Sequence, residues 1–335
     1  MHTALVVMND APEDDQRSHV RYWLLEALPH LEVSFAASLE DALRAPAPDV
    51  LIANARPWLP GLVRERESIE WIHLLSAGAD RLLQQDLPFE RLRVSTSSGV
   101  HVATISEYVL ASALYHVKRF GRFAEQQRER RWERPRMGEL EGSTMAILGL
   151  GAIGRGIAVR AKAFGMRVIG TKRTPGRTRS HAPERTATTL DPIPHVDETY
   201  GPDGLHTVLG EADVLAVTVP LTPSTRGLLG RAAFDALKPG AILVNVARGH
   251  VVDEEALIAA LRDGRLRGAT LDVFAEEPLP DESPLWTMPN VLITPHVAGT
   301  TPVYMRKAVA VFVDNYRAWQ REGRLVTAVD VQAGY

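Results

Sequence analysis

The 335-residue chain contains no cysteine, which excludes disulfides, thiolate metal centres and a cysteine nucleophile and fits a reducing compartment. No apolar run approaches the roughly 20 residues needed to span a bilayer, so no membrane partner is expected. The N-terminus, Met1-His2-Thr3-Ala4-Leu5-Val6-Val7-Met8, lacks a basic leader and a long apolar core. It turns acidic at Asp10, Glu13, Asp14 and Asp15, unlike a signal peptide. A net charge of -3 gives no reason to expect nucleic acid or an anionic membrane surface as partner. His181 and His195 fall in a stretch rich in Pro, Thr and Arg, Thr174 to His195, which reads as a surface excursion. They lack the Asp/Glu/His spacing of a metal site, so no metal is expected. What remains is ordinary soluble composition, 45% hydrophobic and 24% charged, with length for about two domains. A cytoplasmic enzyme is the expectation.

The most informative stretch is Ala146-Ile147-Leu148-Gly149-Leu150-Gly151-Ala152-Ile153-Gly154, an apolar run leading into G-x-G-x-x-G. A helical pattern follows through Ala163, and a second apolar strand, Arg167 to Gly170, comes at the right distance. Each glycine has a task if a dinucleotide binds. Gly149 permits the tight turn, Gly151 lets a pyrophosphate approach the backbone, and Gly154 lets the helix pack against the strand. The helix start at Ala152 and Ile153 offers free N–H groups to the phosphates. An NAD site usually carries an acidic residue at the end of the second strand, bonding the ribose 2′-hydroxyl. Here the sequence reads Gly170-Thr171-Lys172-Arg173-Thr174, and two cations suit a 2′-phosphate. NADPH is the expected cofactor, with NADH the alternative.

Strand candidates begin at residues 3–8 and recur at Val33–Ala36, Asp49–Ala53, Trp71–Leu75 and Leu92–Ser95. Their alternation with short helical segments predicts a parallel sheet covered by helices. A long helix is predicted from about Val102 to Arg119. A charged arm follows, Arg119 to Arg136, with Trp132 in its midst; it is either a solvated surface or an arm that packs on a second subunit and carries Trp132 to an active site. Further strands at Val214–Val219, Ala241–Val246, Ala269–Val273 and Val291–Thr294 predict a sheet of six or so strands. Asp253 is placed to cap a helix over 253–262, and a last helix is predicted over 302–321.

Three segments following strands of this second sheet bear chemistry. Asn245-Val246-Ala247-Arg248-Gly249 presents an arginine whose fork suits a carboxylate. Leu271-Asp272-Val273-Phe274-Ala275-Glu276-Glu277-Pro278 ends a buried strand on Asp272, an unusual place for an unpartnered carboxylate. Ile293-Thr294-Pro295-His296-Val297-Ala298-Gly299 puts a histidine before a glycine turn. In the first sheet, Ser76-Ala77-Gly78-Ala79-Asp80 and Ser97-Ser98-Gly99-Val100-His101 follow strands in the same way.

With these segments in this order, together with Val219-Pro220-Leu221-Thr222-Pro223-Ser224-Thr225, the chain resembles the D-isomer-specific 2-hydroxyacid dehydrogenase family over almost its whole length. The resemblance implies an α/β fold of two Rossmann-like or flavodoxin-like domains with parallel sheets. The dinucleotide-binding domain, 102–296, is inserted into a discontinuous substrate domain, 1–101 and 297–335. It implies that Arg248 binds the substrate carboxylate, that His296 is the general acid/base and that Glu277 is its partner. Asp272 matches the aspartate behind the site. The backbone at Ala77 and Gly78 matches the loop that holds the substrate carboxylate. Pro220, Thr225, Ala247, Asp272 and His296 join the glycine loop and Lys172 and Arg173 as cofactor-binding positions. A homodimer is expected through the helix after Val102 and the arm around Trp132.

The physical logic of the implied reaction agrees. Reducing a 2-keto acid needs a hydride at C2 and a proton at its oxygen. His296 can give the proton while Glu277 orients the ring and raises its basicity. The pattern is most like glyoxylate/hydroxypyruvate reductases, or 2-ketoacid reductases more broadly. Formate dehydrogenases carry glutamine where this chain has Glu277, and the short segment after the last helix predicts no appended regulatory domain. Trp58, His101, Trp132 and Trp286 are candidates for shaping the pocket. A different class stays open: a dinucleotide-sensing binding module resembling the family's corepressor branch, which keeps the same catalytic residues.

Overall fold

The computed structural model describes residues 2–8, 16–173 and 193–332, so His181 and most of the Thr174–His195 stretch lie outside the described residues. The chain divides into two compact units, Met1–His101 with Thr301–Tyr335, and Val102–Thr300.

In the first unit, short runs of apolar and β-branched residues form β1 (Thr3–Val7), β2 (Glu32–Ala36), β3 (Val50–Ala53), β4 (Trp71–Leu74) and β5 (Arg93–Thr96). All neighbouring pairs are parallel, in the order β2-β1-β3-β4-β5, the flavodoxin-like arrangement. Every residue of β3 and β4 is buried, as befits strands covered on both faces. The C-terminal segment belongs to this unit for a visible reason. The helix Tyr304–Glu322 stacks Phe312 on Trp71 at 5.2 Å between ring centroids, both fully buried. The chain then turns back, with the Val329 N–H donating to the Val94 carbonyl at 2.8 Å and the Thr327 N–H to Asn315 Oδ1 at 3.0 Å.

The second unit is built on β6 (Thr144–Leu148), β7 (Arg167–Thr171), β8 (Glu198–Tyr200), β9 (Val214–Val217), β10 (Ala241–Asn245), β11 (Leu266–Leu271) and β12 (Val291–Ile293). Among the described residues its sheet runs β12-β11-β10-β9-β6-β7-β8, with every pair parallel. From the β8 edge this is the doubly wound order 3-2-1-4-5-6 with one strand added. The order reverses between β6 and β9, the place where such sheets bind ligands. The seventh strand beyond the six or so expected is β8, three residues against β7, Glu198-Thr199-Tyr200, which form no apolar run.

The helix predicted to reach Arg119 spans Val102–Val117 and buries Ile105, Val109 and Ala113 against Met145, Ile157 and Ala161. It stops because Arg119 takes a left-handed conformation, φ 55°, and starts a separate helix, Phe120–Arg128. Residues beyond it are irregular, and Trp132 is 93% exposed. Asp253 caps the helix Glu254–Arg262, accepting from the Ala256 N–H at 3.1 Å. Among the described residues no helix is long and apolar enough to cross a membrane.

Candidate active site

The glycine loop joins β6 to the helix Ala152–Ala163. Gly149 has φ +100°, and a side chain on Gly154 would put its Cβ 2.2 Å from the Gly149 carbonyl oxygen. The loop therefore folds back on the first helical turn at van der Waals contact, which only glycine allows. A Cβ built on Gly151 would meet nothing within 4 Å, so the backbone there is open to a ligand. Ala152 and Ile153 begin the helix, where N–H groups have no partner within the helix, and no acidic side chain lies in that first turn. These features fit a pyrophosphate.

The loop is also fastened to the end of β7. The N–H groups of Gly149 and Leu150 both donate to the Thr171 carbonyl, at 3.2 and 2.9 Å. The next residue, Lys172, is half-buried, and Arg173 is exposed. Burial holds the Lys172 ammonium below its usual pKa, and the positive charge of Arg155 pushes it the same way. Arg155 stands one residue past Gly154, in the first turn of the helix. An anion between these cations would relieve both effects, so the donor set fits a phosphate. Arg155 escaped the sequence reading, which looked for cations only at the end of the second strand.

Farther along the same edge, Thr225 Oγ1 donates to the Pro220 carbonyl at 2.6 Å and accepts from the Thr222 N–H at 2.8 Å, closing the turn after β9. Ala247 is buried after β10, its N–H on Asn245 Oδ1 at 3.1 Å.

The chemistry-bearing side chains converge after β10, β11 and β12. Arg248 is half-buried, with Nη1 donating to the Ala247 carbonyl at 2.7 Å. Gly249 follows because a Cβ there would lie 1.8 Å from the Phe274 carbonyl carbon. The Arg248 segment is thereby pressed onto the segment that carries Glu277. That segment is held twice, by the Phe274 N–H on Glu277 Oε1 at 3.1 Å and by the Ala275 N–H on Glu254 Oε1 at 2.7 Å.

Glu277 Oε2 then meets His296 Nδ1 at 2.9 Å. Partial burial works to raise the Glu277 pKa. Its bond from His296, its bond from the Phe274 N–H and the charges of His296 and Arg248 outweigh this and hold it below the usual carboxylate range. An ionised carboxylate only accepts, so Nδ1 donates. The structure thus brings Arg248, Glu277 and His296 together.

His296 itself has φ 54°, with its N–H on the Thr294 carbonyl at 3.0 Å. Asp272 lies beneath it, 2% exposed, and its carboxylate is used within the protein. It accepts from Thr294 Oγ1 at 2.5 Å, from the Val297 N–H at 2.8 Å and from the Ala298 N–H at 2.9 Å. The question raised by a buried carboxylate at a strand end is answered by those three donors. The same bonds keep residues 297–300 with the second unit.

Ala77 and Gly78 follow β4 in the first unit, where Ser76 Oγ donates to the Gly78 carbonyl at 2.8 Å. Of the aromatic candidates, Trp58 packs on the first unit's core and His101 stacks on Tyr304 at 5.1 Å. Trp286 is half-exposed, with Nε1 donating to the Pro280 carbonyl at 3.0 Å. Among the described residues no cluster of three or more His, Asp or Glu side chains could hold a metal ion.

Comparison with known proteins places the chain among relatives of one family. Residues 110–298, more than half of the chain, match the family model described as D-isomer specific 2-hydroxyacid dehydrogenase, NAD binding domain. Glyoxylate/hydroxypyruvate reductase A of Photorhabdus laumondii is 31% identical over 293 residues, covering 84% of this chain and 87% of that protein. The crystal structure of a D-isomer specific 2-hydroxyacid dehydrogenase from Xanthobacter autotrophicus Py2 in complex with NADPH and MES superposes with a TM-score of 0.83 at 32% identity over the whole of both chains. NADPH-dependent glyoxylate/hydroxypyruvate reductase from Sinorhizobium meliloti, in complex with NADP and sulfate, gives 0.80 at 27% identity, also over both whole chains. The chain belongs to the D-isomer specific 2-hydroxyacid dehydrogenase family: it is an oxidoreductase, and residues 110–298 are its NAD-binding domain.

Proposed function

We propose that this protein uses NADPH to reduce a 2-keto acid such as glyoxylate or hydroxypyruvate to the D-2-hydroxy acid. In this reading His296 is the general acid/base, Glu277 its partner and Arg248 the clamp on the substrate carboxylate. The observation that carries it is the 2.9 Å bond between His296 Nδ1 and a Glu277 carboxylate that also feels the Arg248 charge. When bound, the nicotinamide supplies the hydride. The chain's own residues do the rest. Glu277 accepts the hydrogen bond from Nδ1, which fixes the ring and leaves Nε2 of His296 for proton transfer at the substrate oxygen. Arg248 binds a carboxylate bidentately and polarises the neighbouring carbonyl, giving orientation and charge stabilisation from one side chain.

The preference for NADPH rests on Lys172 and Arg173 with Arg155 beside them, and on the absence of an acidic residue at the end of β7. The relatives from Xanthobacter autotrophicus and Sinorhizobium meliloti, which hold NADPH and NADP, support it. Residues 1–101 with 301–335 are proposed as the substrate domain and 102–300 as the dinucleotide domain, four residues beyond the expected boundary at 296. The backbone N–H groups of Ala77 and Gly78 are proposed as substrate contacts on the family pattern. A homodimer through the helix Val102–Val117 and the arm around Trp132 is proposed with them, the exposed Phe120, Trp132 and Met137 giving that arm apolar surface to cover.

A panel of 2-keto acids run with NADPH and with NADH tests the proposal, with chiral analysis of the product. The expected result is turnover of a small 2-keto acid to the D product with higher kcat/KM for NADPH. Dinucleotide binding with no turnover of any keto acid would replace it with a sensing role, and a clear NADH preference would remove the cofactor assignment.

A further inference from the structure

His296 occupies a region of backbone space that residues other than glycine seldom adopt, and such a conformation persists only when its surroundings over-determine it. The determinants are visible. Immediately after His296, the Val297 and Ala298 N–H groups both end on Asp272, one on each oxygen. The third donor to Asp272 is the Thr294 hydroxyl, at 2.5 Å. A threonine hydroxyl has a single proton, and this one is spent on Asp272. Thr294 Oγ1 also lies 2.6 Å from Tyr108 Oη, so in that contact Thr294 accepts and Tyr108 donates. The polarity of the chain is therefore fixed, from Tyr108 to Thr294 to Asp272, with the two backbone N–H groups meeting it from the other side. Tyr108 sits on the helix Val102–Val117, whose core face anchors it independently of the strand ends. Burial, with the Asp272 charge adding to it, outweighs the opposing hydrogen bonds with Thr294 and Ser112 and raises the phenol's pKa, so it keeps its proton.

We propose that Tyr108 is a positioning residue for His296, acting through Thr294 and Asp272. It rests on the reading of His296 as the acid/base, because only then does the orientation of that ring govern turnover. Bonds that end on a charged, water-excluded carboxylate are the strong ones, and a chain of them polarises cooperatively. Losing its first member loosens the carboxylate that holds the backbone on the far side of His296.

Tyr108→Phe keeps the ring and removes only the oxygen. The expected result is a fall in kcat of about tenfold with the NADPH dissociation constant unchanged within about twofold. Thr294→Ser keeps a hydroxyl and should stay within about twofold of the parent kcat, whereas Thr294→Val should fall as Tyr108→Phe does. The double variant Tyr108→Phe with Thr294→Val should be no worse than Thr294→Val alone, since both cut one chain. Wild-type kcat in Tyr108→Phe, additive losses in the double variant, or equal losses of kcat and NADPH binding would each overturn the proposal. His296→Gln run alongside separates the two failures. If it is inactive while Tyr108→Phe is normal, only this proposal falls; if it turns over normally, the acid/base reading falls first.

Discussion

A carboxylate that accepts from an imidazole decides which ring nitrogen is left to work. Glu277 does this for His296, with the pairing at Nδ1 and the other nitrogen free of it. Because the folded Glu277 pKa is held below the usual carboxylate range, the carboxylate form is present throughout the neutral range, and the pairing weakens only as pH falls through that lowered pKa. The activity profile is therefore expected to show no limb from Glu277 in the neutral range. Glu277→Gln, which keeps size but loses charge, should lower kcat by roughly 10- to 100-fold while NADPH affinity stays within about twofold, read by steady-state kinetics and fluorescence titration. Arg248 and His296 were legible in the sequence because each sits a few residues after an apolar strand, and parallel sheets gather such residues at one edge; Glu277 came from the family resemblance, since the strand end itself pointed to Asp272. Arg155, Tyr108 and Glu254 were not legible. Each acts on a segment remote in sequence: Lys172, Thr294 and the Ala275 N–H, respectively. No local pattern records such pairings.

At the level of elements, the glycine loop and the first turn of its helix behave as one piece. Gly154→Ala would drive a Cβ into the Gly149 carbonyl, so the loop must move away from the helix start. NADPH affinity should drop about tenfold or more, roughly 1.4 kcal/mol, measured by titration. Unchanged affinity would show that the loop relaxes without cost to the ligand. Most strands were legible as apolar runs, and Asp253 as a cap, because burial and capping are local demands. β8 was not, since Glu198-Thr199-Tyr200 is no apolar run and pairs only along the β7 edge. The break at Arg119 escaped too: a charged run does not reveal where one residue turns left-handed.

Across the whole molecule, two buried histidines couple stability to pH. His73, bonded at Nδ1 to Ser95 at 2.8 Å, is pushed down by burial from 6.5 to about 3. His116, at 3.0 Å from Thr270 Oγ1, is lowered to about 4 mainly by burial, with the Arg267 charge adding to it. Below 6.5 the unfolded chain takes up protons that the folded histidines refuse. Stability should therefore fall on acidification by about 1.4 kcal/mol per pH unit for each histidine, down to about 4 for His116 and about 3 for His73. Urea unfolding at a series of pH values checks this, and a flat response between pH 6.5 and about 5 would contradict it. The discontinuity of the first unit is a whole-molecule feature that periodicity could not supply. It came from the family resemblance, and its physical basis is the Trp71–Phe312 stack and the return of residues 327–329 to β5.

The most direct test of the assigned chemistry is single-turnover oxidation of bound NADPH by glyoxylate or hydroxypyruvate in His296→Gln. The expected result is NADPH binding within about twofold of the parent and hydride transfer slower by roughly 10²- to 10⁴-fold. Transfer within about threefold of the parent rate would contradict the assignment of His296 as the acid/base.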